Sequence, residues 1–105
     1  MKLNKHQSLF LQLLKFSSVK ERKILLSGAE NDIIKMLSEI VHNVLCGNVP
    51  LHSNKIYQLR KHKQIMHTLS DRSVSLARKR TLLQQQHGSG TFLPLLFPII
   101  SSILS

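Results

Sequence analysis

Several residue types are scarce in this 105-residue chain, and each scarcity weighs against a class of protein. The single cysteine, Cys46, cannot form a disulfide within the chain, so nothing points to an oxidising compartment. Tryptophan is absent, and one Tyr and four Phe leave little surface for the base stacking on which recognition of single-stranded RNA relies. There is no run of about 18 apolar residues and no small-residue cleavage site near the start, so we expect neither an ordinary transmembrane helix nor a signal peptide.

Residues suited to catalysis are also scarce. Of the five acids, only Glu30 and Asp32 lie close together, at a predicted helix start where acids favour the helix dipole anyway. The sequence has no glycine-rich phosphate loop and no nucleophile with a visible base. We therefore expect a protein that is not an enzyme and uses no cofactor.

A metal site is the least favoured interpretation of the histidines. His42 and Cys46 lie four residues apart on one predicted helix, and His52 follows after a turn. A structural zinc site takes four ligands at close spacing, and only these three are near one another in sequence. The sequence therefore predicts no metal site.

Positive charge is abundant and unevenly distributed. Fifteen Lys and Arg against five acids give a formal net charge of +10. Residues 1–49 carry seven basic and four acidic side chains, residues 50–87 carry eight and one, and residues 88–105 carry none. This balance predicts attraction to nucleic acid or to an anionic membrane. We treat the three ranges as a helical core or oligomer region, a basic region and an apolar tail.

The spacing of apolar residues predicts an all-α fold, a small bundle of about five short helices. The first, residues 5–16, is apolar nearly all round, so it is either buried or an interface for another chain. Ser18 and Glu21 have the spacing of a capping box that opens the second helix. Gly28 is expected to end that helix in the left-handed conformation.

The third helix, residues 31–46, has the clearest periodicity in the chain. Its apolar stripe, which predicts a core face, consists of Ile33, Ile34, Leu37, Ile40, Val41, Val44 and Leu45. A fourth helix is expected from Ser53, as N-cap, to about Leu69. A fifth follows a polar break and spans about residues 76–86.

The basic side chains of the second range predict a polyanion-binding surface. A solvated surface normally mixes both signs of charge, whereas here only Asp71 interrupts the positive residues. No Asn or Gln accompanies an Arg on a recognition face, so contact with phosphates is favoured over reading of bases. The candidate nucleic-acid-binding residues are Lys55, Arg60, Lys61, Lys63, Arg72, Arg78, Lys79 and Arg80.

The uncharged tail predicts contact with an apolar partner. As a helix, residues 92–104 would extend only about 20 Å, short of the roughly 30 Å hydrocarbon core of a bilayer. Membrane contact and protein docking are favoured about equally, somewhat ahead of folding back onto the protein's own core. The candidate docking residues are Phe92, Leu93, Leu95, Leu96, Phe97, Ile99, Ile100, Ile103 and Leu104.

The order of these segments resembles a small basic protein of Polinton (Maverick) elements and adintoviruses. The matching segments are KERKILL at residues 20–26, LSEIVHNVLCGNVPL at 37–51, LRKHK at 59–63, VSLARKRTLL at 74–83 and FLPLL at 92–96. Residues 78–104 also resemble the adenovirus core protein X, the mu precursor, which places a DNA-condensing basic region before a Gly-rich joint and an apolar tail. Adenovirus-type proteases favour a pattern that residues 86–90 fit, which implies cleavage between Ser89 and Gly90.

The resemblance and the charge together lead to one expectation. A non-enzymatic, virion-core-like protein would bind double-stranded DNA without sequence preference, in the virion or the host nucleus. Its tail would tether it to a capsid protein or a membrane, and it could form a homo-oligomer. The alternative is a membrane-active or capsid-cement protein whose basic segment contacts anionic lipid or capsid.

Overall fold

Short amphipathic segments with distinct start signals form the helices of this protein. The structure, a computed structural model, describes residues 3–49, 51–85 and 96–99. Within these ranges the chain is helical and contains no strand, which confirms the predicted all-α fold. The helices are α1 (Lys5–Lys15), α2 (Val19–Ser27), α3 (Asn31–Leu45), α4 (Ser53–Arg60), α5 (Lys63–Ser70) and α6 (Leu76–Gln84), followed by one helical turn at residues 96–99.

The start of α2 is the capping box that the sequence predicts. The Glu21 N–H donates to Ser18 Oγ at 3.2 Å, and the Ser18 N–H donates to Glu21 Oε1 at 3.0 Å. Hydrogen bonds from Ser18, its backbone N–H foremost, hold the pKa of Glu21 below its usual value. These bonds satisfy backbone donors that no helical carbonyl can reach. A second box, between Asn4 and Gln7, starts α1.

The predicted end of α2 is right in position but wrong in conformation. Gly28 is the C-cap, yet its φ of −96° and ψ of 0° are right-handed. Its N–H bonds to the Ile24 carbonyl, and the Ala29 N–H bonds to the Leu26 carbonyl, so the helix tightens at its end without reversing hand. Among the described residues, the glycine with a left-handed conformation is Gly47, at φ 73°, which follows α3.

Helix α3 lies at the centre of the protein and packs against α1, α5 and α6. The predicted stripe is confirmed as its core face, since five of its seven residues are buried and Val44 and Leu45 pack partly against the core. Met36 and Ser38 are buried as well. The buried face of α3 is therefore wider than the stripe, because helices cover it from more than one side.

The predicted fourth helix is wrong as a single element. The structure has α4 and α5, separated by a turn at Lys61 and His62. Residues 60–64 are all polar, so between the buried Leu59 and Met66 no apolar face is available to hold a continuous helix against the core.

Helix α1 is both buried and exposed. Leu11 and Leu14 are in the core, whereas Leu9, Leu13 and Phe16 are exposed, Phe16 to 84 %. Residues 9, 13 and 16 share one face of a helix because they are four and three positions apart. Burial is therefore confirmed for one face of α1, and for the exposed face an interface with another chain stays a prediction.

The helical turn at 96–99 packs into the same core. Leu96, Phe97 and Ile99 are buried, and the Arg22 guanidinium carbon lies 5.0 Å from the centre of the Phe97 ring, a cation–π contact. These three predicted docking residues therefore occupy the fold-back position. The other six docking residues, the Gly-rich joint and the predicted cleavage site at Ser89 and Gly90 lie outside the described residues. No helix in the described ranges is long and apolar enough to cross a membrane.

Candidate functional site

The eight candidate nucleic-acid-binding residues separate into two groups. Five have exposed side chains at the surface: Arg60, Lys61, Lys63, Arg72 and Arg78. Lys55 and Arg80 are half-buried, and Lys79 is buried. The group is therefore not one uniform patch, and the run of three basic residues in α6 offers a single exposed side chain.

The densest exposed group lies where α4 ends and α5 begins. Arg60 is the last residue of α4, Lys61 is in the turn, and Lys63 starts α5. The break between the two helices keeps these polar residues out of the core, so all three remain in solvent. In the described part of the chain, none of the three forms an ion pair with an acid.

Arg80 holds α6 against the α2–α3 connection. Its Nη1 donates to the Leu26 carbonyl at 2.7 Å and to the Ala29 carbonyl at 2.5 Å, and Nη2 donates to Asn31 Oδ1 at 3.1 Å. Leu26 lies in the last turn of α2, where a positive charge is favoured, and its carbonyl also accepts the Ala29 N–H. The nearby Gln84 side chain adds a bond to the Lys23 carbonyl. Arg80 is thus engaged in tertiary structure.

Lys79 points into a pocket between α3 and the α5–α6 segment. The pocket has a volume of about 490 Å³, within the range of small-molecule sites. Its lining residues are Lys35, Ser38, Glu39, His42, Asn43, Ser70, Arg72, Val74, Leu76 and Lys79.

Positive charge exceeds negative charge in this pocket. Lys35 of α3, Arg72 of the α5–α6 turn and Lys79 of α6 contribute one cation each, and Glu39 is the lone carboxylate of the lining. Lys79 is only 5 % exposed. Burial lowers the pKa of Lys79, and the Asp71 carboxylate opposes that shift. The tertiary fold therefore brings together three cations that are 37 and seven residues apart in sequence.

Two hydroxyl groups in the pocket differ in their partners. Ser70 Oγ donates to the His67 carbonyl at 3.1 Å. Ser38 is 9 % exposed, and its Oγ is buried without a hydrogen-bond partner among the described residues. An unsatisfied buried hydroxyl is uncommon in a folded protein, because its desolvation is uncompensated.

Three potential metal ligands lie close together in the structure, but they are not the three that are near one another in sequence. Cys46 Sγ and His42 Nε2 are 3.5 Å apart, but His52 does not complete a group of three with them among the described residues. The ligand atoms of His6, Glu30 and Asp32 lie within 4.8 Å of one another. Three surface ligands fall short of the four that a structural zinc site uses.

Sequence reasoning missed the pocket, although a signal for it was present. Lys79 lies three residues after Leu76 and four before Leu83, so it occupies the apolar face of α6. Ser38 lies four residues after Ile34 and three before Val41, in the same relation to the stripe of α3. A polar residue at such a core-facing position is the pattern to look for.

Comparisons with protein-family models, with curated proteins and with solved structures found no match for this chain.

Proposed function

We propose that this protein binds double-stranded DNA without sequence preference, by contacts to backbone phosphates. The observation that carries the proposal is the set of five exposed basic side chains between Arg60 and Arg78, none ion-paired to an acid in the described residues. Unpaired, solvated cations of this kind exchange easily onto phosphates and release condensed counterions. In a particle of the kind that the resemblance implies, this binding would condense packaged DNA.

The single acid within that segment opposes the proposal only weakly. Asp71 accepts hydrogen bonds from the Ser73 hydroxyl at 2.7 Å and from the Ser73 N–H at 2.9 Å. These bonds, that of the hydroxyl foremost, hold the pKa of Asp71 below its usual value. The carboxylate is engaged in closing the turn after α5, so it does not pair with the exposed cations.

The salt dependence of duplex binding tests this proposal. If about five phosphates are contacted, log affinity should fall with log salt with a slope of about −4.5. Neutralising Arg60, Lys61 and Lys63 together by substitution with Gln should remove about 2.7 from that slope. Fluorescence anisotropy with two duplexes of unrelated sequence would measure it, and both should bind equally.

A matched variant distinguishes a localised DNA-binding surface from a general effect of net charge. Lys5, Lys20 and Lys23 are exposed, and substituting all three with Gln changes the net charge by the same amount. We expect this control to reduce the slope much less. Equal effects of the two triple variants would show that net charge alone drives binding, and a slope near zero would reject phosphate contact altogether.

A second candidate function is contact with an anionic lipid surface, and α1 provides the observation for it. This helix exposes Leu9, Leu13 and Phe16 and carries Lys5 and Lys15, both exposed. Exposed apolar residues combined with basic ones are typical of helices that lie in a membrane interface. Co-sedimentation with phosphatidylserine vesicles, measured beside DNA binding, distinguishes the two functions. Vesicle binding that is lost in Leu13→Ser with Phe16→Ser, while DNA binding persists, would support the lipid contact.

A further inference from the structure

The pocket between α3 and the α5–α6 segment contains two polar groups that have no hydrogen-bond partner among the described residues. Ser38 Oγ is buried and has no hydrogen bond in the described ranges. Lys79 is nearly as buried as a core leucine, and it forms no hydrogen bond or ion pair with another described residue. Because both groups line one cavity, a ligand bound there could supply the hydrogen-bond acceptors that they lack.

The free-energy cost of this arrangement is substantial without a ligand. A buried hydroxyl without a partner is destabilising, because its lost hydration is not compensated. The Lys79 side chain is 5 % exposed, burial lowers its pKa, and the Asp71 carboxylate offsets only part of that shift. A leucine or methionine at position 79 would avoid this cost. Packing alone therefore does not explain why a lysine occupies position 79.

The chemistry of the lining selects an anion with several acceptor oxygens. Ser38 and Lys79 offer donors at the interior, and the exposed Lys35 and Arg72 add two cations. Glu39 is exposed and removes part of the positive excess, but it does not cancel three cations. Phosphate oxygens accept hydrogen bonds and carry charge, and charge-assisted bonds to them are the strong ones.

We propose that this pocket binds a phosphate monoester group, with Lys79 and Ser38 donating to its oxygens and with Arg72 and Lys35 close by. At about 490 Å³ the cavity takes more than the phosphate itself, so the group can belong to a free mononucleotide or to the 5′ end of a nucleic acid. The proposal differs from the surface contacts to duplex DNA because it depends on Ser38 and Lys79, which are not among the five exposed basic residues, whereas Arg72 belongs to both sets.

Titration of the full chain with inorganic phosphate, followed by ¹H–¹⁵N NMR at constant ionic strength, tests the site. We expect saturable shift changes centred on the amides of Ser38 and Lys79. Lys79→Met should weaken phosphate binding at least about tenfold, because it removes a charged donor. Ser38→Ala should weaken binding about two- to tenfold while leaving the fold intact, since the hydroxyl it removes has no internal partner.

A control on the same helix isolates the pocket from general charge. Arg78 is exposed and does not line the pocket, so Arg78→Met should bind phosphate within about twofold of the original protein. The proposal is overturned if the original chain shows no saturable shifts. It is equally overturned if both pocket variants bind phosphate as the original protein does.

Two further arms identify the source of the phosphate. Adenosine 5′-monophosphate binding more tightly than inorganic phosphate, with no binding of adenosine, would support a mononucleotide ligand. A 12-base-pair duplex that binds more tightly with a 5′-phosphate than with a 5′-hydroxyl, and loses this preference in Lys79→Met, would support a nucleic-acid end. The Gln variant of Arg60, Lys61 and Lys63 should retain phosphate binding, so loss of duplex binding there does not count against the pocket.

Discussion

Replacing Leu37 with Asp should leave the protein unfolded at room temperature. Leu37 is 0 % exposed at the centre of α3, which packs against three other helices. The substitution removes the packing of a buried leucine, worth about 2–5 kcal/mol, and leaves a carboxylate without a partner in the core, which costs several kcal/mol more. Since small domains have about 5–15 kcal/mol of stability in total, little or none would remain. Ile40→Asp should have the same result.

Circular dichroism and thermal melts would measure this loss, with Lys35→Asp as the matched control. Lys35 is exposed on the same helix, and its substitution should cost about 1 kcal/mol or less. A folded Leu37→Asp protein, or equal destabilisation by the two substitutions, would contradict the position of the α3 stripe at the core.

Replacing Arg80 with Met should destabilise the protein by about 2–4 kcal/mol. The guanidinium makes three hydrogen bonds that join α6 to the end of α2 and the start of α3, and two of them satisfy backbone carbonyls. Methionine retains the aliphatic part of the side chain but none of the donors. At about 4–8 °C per kcal/mol for a domain of this size, the melting temperature should drop by roughly 10–30 °C.

Arg78→Met is the matched control for this change, because the two arginines lie two residues apart in the same helix. Arg78 is exposed, and its side chain forms no hydrogen bond within the described ranges, so its substitution should alter stability by less than about 0.5 kcal/mol. In duplex binding the two variants should rank the other way. Arg78→Met should reduce the slope of log affinity against log salt more than Arg80→Met does. Similar melting temperatures for the two variants would mean that Arg80 is not a tertiary clamp.

The local signals of the sequence were sufficient for the start of α2 and for the central helix, whereas the N-cap of α4 is His52 and not the predicted Ser53. Ser18 with Glu21 fixed the start of α2 through bonds three residues apart, and such bonds need no tertiary contact. The stripe of α3 likewise depends on periodicity within one element. Both were predictable because the interacting atoms are close in sequence.

The single predicted helix over residues 53–69 failed for the opposite reason. Its periodicity was read across five polar residues, and whether a helix continues through such a stretch depends on what packs against each side of it. Within this segment Ile56 is exposed, whereas Leu59, three residues further on, is buried. That outcome depends on tertiary packing, which the spacing of apolar residues within the segment does not contain.

The basic residues show most directly what each level of structure decides. The sequence by itself determined the all-α class, the central stripe of α3 and the excess of positive charge, because composition and spacing within a helix express these properties. Only the tertiary structure decided that Arg78 faces solvent, Lys79 faces a pocket and Arg80 binds the α2–α3 connection. Three adjacent residues on a helix point about 100° apart, so their environments depend on the helices packed around them.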